Sequence, residues 1–287
     1  MNRRDWLKIM GCGAAGLGLA SARGQGVAEG GRIPPYASDA LGLIAGTVRN
    51  ELKADVPGTL AGIRALGYRY WEGGPPPGMT AGEFGAALRQ AGLTSLGLGT
   101  AMGELLNDTD RFVRDAGALE APYVVCYWPW TSSADAITRA ETLEAARRLN
   151  TLGATCRKAG LRLVWHNHDK EFVRIDGNLV FDVLMRETDP ELVGVELDWY
   201  WVVKGGEDPV ALFRRFPGRF DLGHVKDMNN HDDRGITCVG SGIIDFERII
   251  AEAAAGGTRH LIVENERAVD GIRCARTSFQ HLKTILG

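Results

Sequence analysis

Leu161-Arg162-Leu163-Val164-Trp165-His166-Asn167-His168-Asp169 is an apolar run of strand length that ends in two histidines at i and i+2. Side chains two apart on a strand point to the same face, so both imidazoles share one side of its carboxyl end. Three later segments repeat the arrangement. Val193–Asp198 ends in Glu196 and Asp198, Phe220–Val225 carries His224 with Lys226 two residues on, and His260–Glu264 is followed by Glu266. As parallel neighbours, four such strands gather imidazoles and carboxylates at their carboxyl ends. That composition is a divalent-metal site on a barrel, and mixed nitrogen and oxygen donors suit Mn, Co, Fe or Zn better than Ca.

Outward from these segments the chain keeps one rhythm. Strand-like runs at Leu41–Val48, Arg69–Glu72, Thr94–Leu98, Tyr123–Trp128, Leu161–His166, Val193–Asp198, Phe220–Val225 and His260–Glu264 alternate with helical patterns. The helical segments fall at about 56–66, 81–91, 107–118, 134–158, 179–187, 207–215, 246–255 and 270–284. Eight strand–helix pairs without a hairpin signal predict a parallel sheet. The count, and polar pairs at strand ends, favour a single-domain α/β fold over residues 41–287, a (β/α)8 TIM barrel, rather than a doubly wound open sheet. No G-x-G-x-x-G follows the first strand and no P-loop motif occurs, so the nucleotide-binding open folds lack their fingerprint.

The 287 residues are 45% hydrophobic and 24% charged, ordinary for one large domain. A formal net charge of -3 and a pI near 6.1 give no basic footprint for nucleic acid. No apolar run is long enough to span a membrane. The N-terminus differs in kind. Arg3-Arg4 with Leu7-Lys8, a weakly apolar stretch from Ile9 to Ala20 and Ala20-Ser21-Ala22 predict a twin-arginine-type signal peptide over 1–23. A Gly- and Pro-rich linker follows over 24–40, and the mature chain is expected outside the cytoplasm, periplasmic or extracellular. Cys126, Cys156, Cys238 and Cys274 lack C-x-x-C spacing, and their scattering predicts buried thiols rather than disulfides.

Each candidate residue has a chemical and a structural reading. Asp198 is a ligand or a helix cap. His224 is a ligand or a satisfied structural histidine. Lys226 stabilises oxygen charge that develops during a reaction, or pairs with Asp227 or a site carboxylate. Glu264 ends a run too apolar for an unpaired carboxylate, a cost that ligation removes. Glu266 is an acid/base or a rim charge, with the rim favoured. His166 and His168 supply one ligand and one proton carrier. Glu72, across the barrel mouth, is a second acid/base or the partner of Arg69 or Arg49. Trp128 and Trp130 with Tyr127 after the fourth strand, and Trp199 and Trp201 after the sixth, offer surfaces on which sugar rings stack; core filling is the alternative for one or two of them.

At these residues the chain resembles the sugar phosphate isomerase/epimerase family, the xylose isomerase-like metal barrels. LGLIAGTVRNEL, GYRYWEGG, HNHDKEF, ELDWYWVVKGGEDP, GHVKD and IVENE run in the family's order from roughly Leu41 to Leu286. The resemblance implies one divalent metal, Mn foremost with Zn, Co, Fe or Mg as alternatives, on His166, Asp198, His224 and Glu264. Strand five departs from the pattern, since many members carry glutamate where this chain has His166. That weakens the two-glutamate proton transfer of tagatose-type epimerases and turns attention to His168. Endonuclease IV, also in the family, is disfavoured by the acidic pI and by a third strand, SLGLGTAM, without histidine.

Together these readings predict a metal-dependent sugar or keto-sugar isomerase/epimerase, with His168 or Glu72 moving a proton beside a carbonyl and Lys226 stabilising the enediolate. A lyase or dehydratase on a keto-sugar or 3-keto-glycoside is the alternative, and a carbohydrate-binding barrel without catalysis is a further one. The expected partner is a small carbohydrate, with no nucleic acid and no membrane beyond the export signal. The oligomeric state is open, a homo-oligomer included.

Overall fold

The computed structural model describes Tyr36, residues 40–131 and residues 137–287. The expected signal peptide over 1–23 and most of the 24–40 linker lie outside the described residues. Tyr36, near the linker's end, is buried, and its hydroxyl donates to the Thr258 carbonyl at 2.6 Å.

Eight parallel strands close into a barrel. They are β1 (Leu41–Ile44), β2 (Tyr70–Glu72), β3 (Thr94–Ala101), β4 (Tyr123–Trp128), β5 (Arg162–His166), β6 (Val193–Asp198), β7 (Phe220–Val225) and β8 (His260–Val263). Each pairs with its sequence neighbours, and β8 returns to β1. Crossover helices are α1 (Val56–Leu66), α2 (Ala81–Ala91), α3 (Thr109–Leu119), α4 (Arg139–Lys158), α5 (Val180–Glu187), α6 (Pro209–Arg215), α7 (Phe246–Gly256) and α8 (Gly271–Leu286). The single-domain (β/α)8 barrel expected from the alternation is the observed fold.

Local chemistry sets the helix ends. Asp55, Asp108, Asp208, Asp245 and Asp270 cap α1, α3, α6, α7 and α8 by accepting a backbone N–H of the first turn. Thr80 with Glu83 and Thr138 with Glu141 form reciprocal capping boxes on α2 and α4. Gly67 ends α1 at φ +119°, where a Cβ would meet the Phe279 ring at 2.2 Å, so no other residue fits that turn.

Two apolar layers build the core. Ile44, Leu96, Tyr123, Val125, Val164, Leu222 and Ile262 fill the barrel, while a larger cluster seals strands against helices. Full burial of each large apolar side chain contributes roughly 1.5–3 kcal/mol. Towards the strands' carboxyl ends the filling turns polar, with Glu72, His166, Glu196, Asp198, His224 and Lys226 buried.

Several boundaries differ from expectation. β1 stops at Ile44, and Ala45–Val48 continues as a 3-10 turn. The expected helix near 107–118 is two, Met102–Asn107 and Thr109–Leu119, because Asp108 breaks the first and caps the second. Two antiparallel ribbons, Arg174–Ile175 with Asn178–Leu179 and Asp227–Met228 with Ile236–Thr237, decorate loops where no hairpin is legible. Cys238 and Cys274 form a disulfide, against the expectation of thiols, because the loop after β7 folds back onto the start of α8 and brings their Cα atoms to 5.3 Å. Cys126 and Cys156 remain buried thiols. Among the described residues no helix is long and apolar enough to cross a membrane.

Candidate metal centre

Register assembles the site. β5 pairs His166 with Glu196 of β6, β6 pairs Asp198 with His224 of β7, and β7 pairs His224 with Ile262, two residues before Glu264. One slip of any strand would turn these side chains out of the barrel. His166, Asp198, His224 and Glu264 are all buried and offer donor atoms within 4.8 Å of one another.

Charge balance points the same way. Glu72, Glu196, Asp198 and Glu264 are four carboxylates at most 9% exposed. Lys226, 1% exposed, faces Glu266 at 2.9 Å, Glu264 at 3.1 Å and Asp198 at 3.4 Å. Four carboxyls this close cannot all ionise beside one ammonium without a cost of several kcal/mol per uncompensated ion, a crowding that raises the pKa values of Glu196 and His224. Asp198 Oδ2 and Glu196 Oε1 are buried and accept no hydrogen bond. Two imidazoles, two carboxylates and buried carboxylate oxygens without hydrogen bonds fit one divalent cation.

The protein's own fields divide the titrating groups. Burial, then His224, holds the His166 imidazole well below its usual range. Burial opposes charge on His224 too, but Glu196 and Glu72 overcome it and raise its pKa well above 6.5. Burial and Glu72 push Glu196 far up, and burial lifts Asp198 to about 6 against the pull of Lys226. Glu264 goes the other way, because Lys226 and His224 outweigh its burial. Lys226 stays firmly charged, its three carboxylate neighbours overcoming burial.

Around this core lie the groups able to meet a substrate. His168 follows β5, its ring 4.9 Å from that of His166, 5.2 Å from Trp128 and 5.3 Å from Trp201. Its Nδ1 and the Trp201 indole nitrogen are buried without a hydrogen-bond partner. Burial, then Lys226, lowers the His168 pKa to about 4, so the ring is neutral at pH 7. A cavity of ≈ 410 Å³ opens alongside, lined by Tyr200, Trp201, Lys204, Asp233, Glu266 and Arg267.

The remaining sequence candidates find specific places. Glu72 has no exposed surface; it accepts from the Tyr127 hydroxyl at 2.6 Å and lies 3.1 Å from His224 Nε2, so neither Arg69 nor Arg49 is needed as its partner. Arg49 instead donates to the Gly46 and Glu266 carbonyls. Asp227 does not pair with Lys226. Its carboxylate collects the backbone N–H groups of Met228, Gly240, Gly242 and Ile244 and organises the loop after β7. Trp199 is a correction: it is fully buried against Phe213 and Phe246, because a helix starts at once after β6 and turns its ring behind the barrel. Trp130, 4% exposed, lines a separate hollow beside α4 with Glu144 and Arg148.

In the sequence Glu196 is legible only as half of the β6 polar pair, with no role of its own, and Asn167 and Glu171 show no role. Glu196 meets both histidines, at 3.2 Å from His166 Nδ1 and 3.3 Å from His224 Nε2; its place two residues before Asp198 was the available signal. Asn167 binds the Asp198 backbone through both ends of its amide. Glu171 is fully buried, accepts the His168 N–H at 2.8 Å, and burial raises its pKa to about 8. The last two carry no spacing signal.

Comparisons with known proteins follow the same outline. Residues 60–285 match the family model described as the xylose isomerase-like TIM barrel. Over 141 residues the chain is 33% identical to an inosose dehydratase from Lacticaseibacillus casei, a match covering 42% of this chain and 46% of that protein. The chain thus spans about half the length of that curated relative. A sugar phosphate isomerase/epimerase structure from Parabacteroides distasonis superposes with a TM-score of 0.75 at 22% identity, covering 88% of this chain and 97% of that one. The IolI protein, solved with a zinc atom bound, superposes with a TM-score of 0.69 at 14% identity, covering 86% and 98%. At these identities the two structures establish shared fold alone.

Proposed function

The chain belongs to the xylose isomerase-like TIM-barrel family, and from that premise we propose that it is a divalent-metal-dependent lyase or dehydratase. Its substrate is a keto-sugar or cyclic keto-polyol from which it removes the proton next to the carbonyl. His166, Asp198, His224 and Glu264 hold the metal. Bound there, a divalent ion would supply Lewis acidity to a substrate carbonyl, making the neighbouring C–H more acidic.

One observation carries the choice of reaction: among the described residues, His168 is the proton carrier at the site that stands outside the carboxylate–imidazole network. The His168 imidazole is bound to no carboxylate, whereas Glu72 is tied to Tyr127 and His224, and Glu196 to both histidines. Epimerisation through opposite faces calls for a second free carrier. Elimination needs one. His168 takes the α-proton, the C–H electron pair becomes the C=C bond, and the β C–O bond breaks with its pair on oxygen. The same imidazolium returns the proton to that oxygen, releasing water or an alcohol and restoring neutral His168. Lys226 offsets negative charge on the carbonyl oxygen while the proton is away. Trp128 and Trp201, with rings 5.2 Å and 5.3 Å from that of His168, offer faces for the apolar side of the substrate ring.

The kinship with an inosose dehydratase supports this reading over part of the chain. Export goes with it, since the Cys238–Cys274 disulfide suits an oxidising compartment. The test is to incubate the Mn-loaded protein in D₂O with an inosose and with a 3-keto-glycoside, then examine products by NMR and mass spectrometry. An unsaturated ketone with loss of water or alcohol is expected. A product of unchanged composition and altered configuration or carbonyl position would restore the isomerase/epimerase reading. Binding without deuterium uptake would leave a carbohydrate-binding barrel.

A further inference from the structure

Glu196 sits at the middle of the cluster yet outside the four-donor set. It is the central residue of three strands, paired by register with His166 on β5 and lying two residues before Asp198, which pairs with His224 on β7. Its Oε2 alone stands 3.2 Å from His166 Nδ1 and 3.3 Å from His224 Nε2. The other ring nitrogens face the donor set: His166 Nε2 is 3.9 Å from Asp198 Oδ2, and His224 Nδ1 is 2.9 Å from Glu264 Oε2. A neutral imidazole carries one N–H and one lone pair, and the bond made by one nitrogen decides what the other offers.

Resting on the metal-centre reading above, we propose that Glu196 is a positioning residue that fixes the tautomers of both histidines, Nδ1–H at His166 and Nε2–H at His224. His166 then presents Nε2 to the metal and His224 presents Nδ1. A ligating histidine generally donates its far N–H to such an acceptor, and losing the acceptor typically costs 10–100-fold in affinity. Here one carboxylate oxygen serves two ligands. Glu72 adds a second acceptor for His224 Nε2 at 3.1 Å and is itself oriented by the Tyr127 hydroxyl at 2.6 Å.

Glu72, Glu196 and His224 also bring donor atoms within 4.8 Å of one another, the makings of a second cation site. Such a site would require His224 Nε2 to give up its proton while Nδ1 ligates the first ion. That N–H already has two carboxylates as acceptors, so positioning accounts for the contacts without a second ion.

The test uses the full chain with ¹⁵N-labelled histidine, loaded with zinc. Long-range ¹H–¹⁵N correlation spectra, assigned by single histidine replacements, report each ring's tautomer. Nδ1–H at His166 and Nε2–H at His224 are expected. Glu196→Gln keeps the size but weakens the acceptor, and Glu196→Leu removes it. Zinc affinity by competition titration should fall in that order, by roughly 10–100-fold for the leucine variant, with the His166 signal losing its single tautomer. If the leucine variant does not fold, the wild-type spectra decide. Zinc on His166 Nδ1 or His224 Nε2, or two zinc ions per chain, would overturn the proposal. Absence of zinc binding would remove the metal-centre reading itself, and this inference with it.

Discussion

Asn167 holds Asp198 by both ends of its amide: Oδ1 accepts the Asp198 N–H at 2.9 Å and Nδ2 donates to the Asp198 carbonyl at 3.3 Å. The residue between the two histidines thereby clamps the end of β5 to the end of β6, and sets the spacing of His166 and Asp198 across the donor set. Asn167→Ala leaves the buried Asp198 N–H without a partner, at a cost of about 1–3 kcal/mol. It should also lower metal affinity by about tenfold. A thermal melt and a calorimetric metal titration read the two effects separately; a melt shift with unchanged affinity would limit Asn167 to stability.

The crowded buried carboxyls of the candidate centre would make a bound divalent ion a stabiliser of the fold. Occupancy at 100 times its dissociation constant adds about 2.7 kcal/mol by mass action. Elemental analysis of the purified protein should find about one Mn, Zn, Fe or Co per chain, lost in Glu264→Gln, and chelation should lower the melting temperature. Equal melting with and without chelator would contradict the charge argument.

His168→Gln separates chemistry from binding. It leaves the four donors in place, so metal content should match the wild type, while turnover falls about 10²–10⁴-fold with loss of a general base. Deuterium uptake at the α-carbon is the more telling readout. Uptake persisting in the variant would move the base elsewhere, with Glu72 the next candidate.

The barrel and the four polar pairs were legible because they rest on local quantities: apolar runs, a period of two, and helix caps such as Thr80 with Glu83. What escaped depends on long-range register. Asp198 and Glu196 look alike on β6, and only the pairing with β5 and β7 shows that one faces the donor set while the other spans two imidazoles. Trp199 looked like part of an aromatic wall because nothing local announces that a helix starts directly after Asp198 and carries its ring behind the barrel. The Cys238–Cys274 pair hinges on how the loop after β7 folds back, a matter settled by Asp227 and its four backbone donors.

Glu171 gives stability a pH dependence of known sign. Its folded pKa is about 8, raised by burial from an ordinary 4.5, so the folded chain binds its proton more tightly than the unfolded chain. Its contribution is full below 4.5 and is lost as pH rises towards 8, a difference on the order of 3–5 kcal/mol. Glu171→Gln keeps an acceptor for the His168 N–H and cannot ionise. The variant should melt close to the wild type at pH 5 and several degrees above it at pH 8.5. A constant difference across that range would show that the carboxyl is ionised in the fold.

The disulfide ties the loop after β7 to the last helix. Cys238 and Cys274 are 36 residues apart, and chain-entropy reasoning assigns such a closure about 3–4 kcal/mol. In a domain of this size that corresponds to a drop of about 5–15 °C in melting temperature for Cys238→Ser with Cys274→Ser. Asn265, next to Glu264, directs its amide at Cys274 Sγ from 3.3 Å, while its backbone N–H is held by the Thr47 hydroxyl at 2.9 Å. The backbone anchor persists without the disulfide, so metal affinity should change by less than about threefold while stability falls. A large loss of affinity in the double variant would instead mean that the sulfur contact, not the Thr47 bond, aims Glu264.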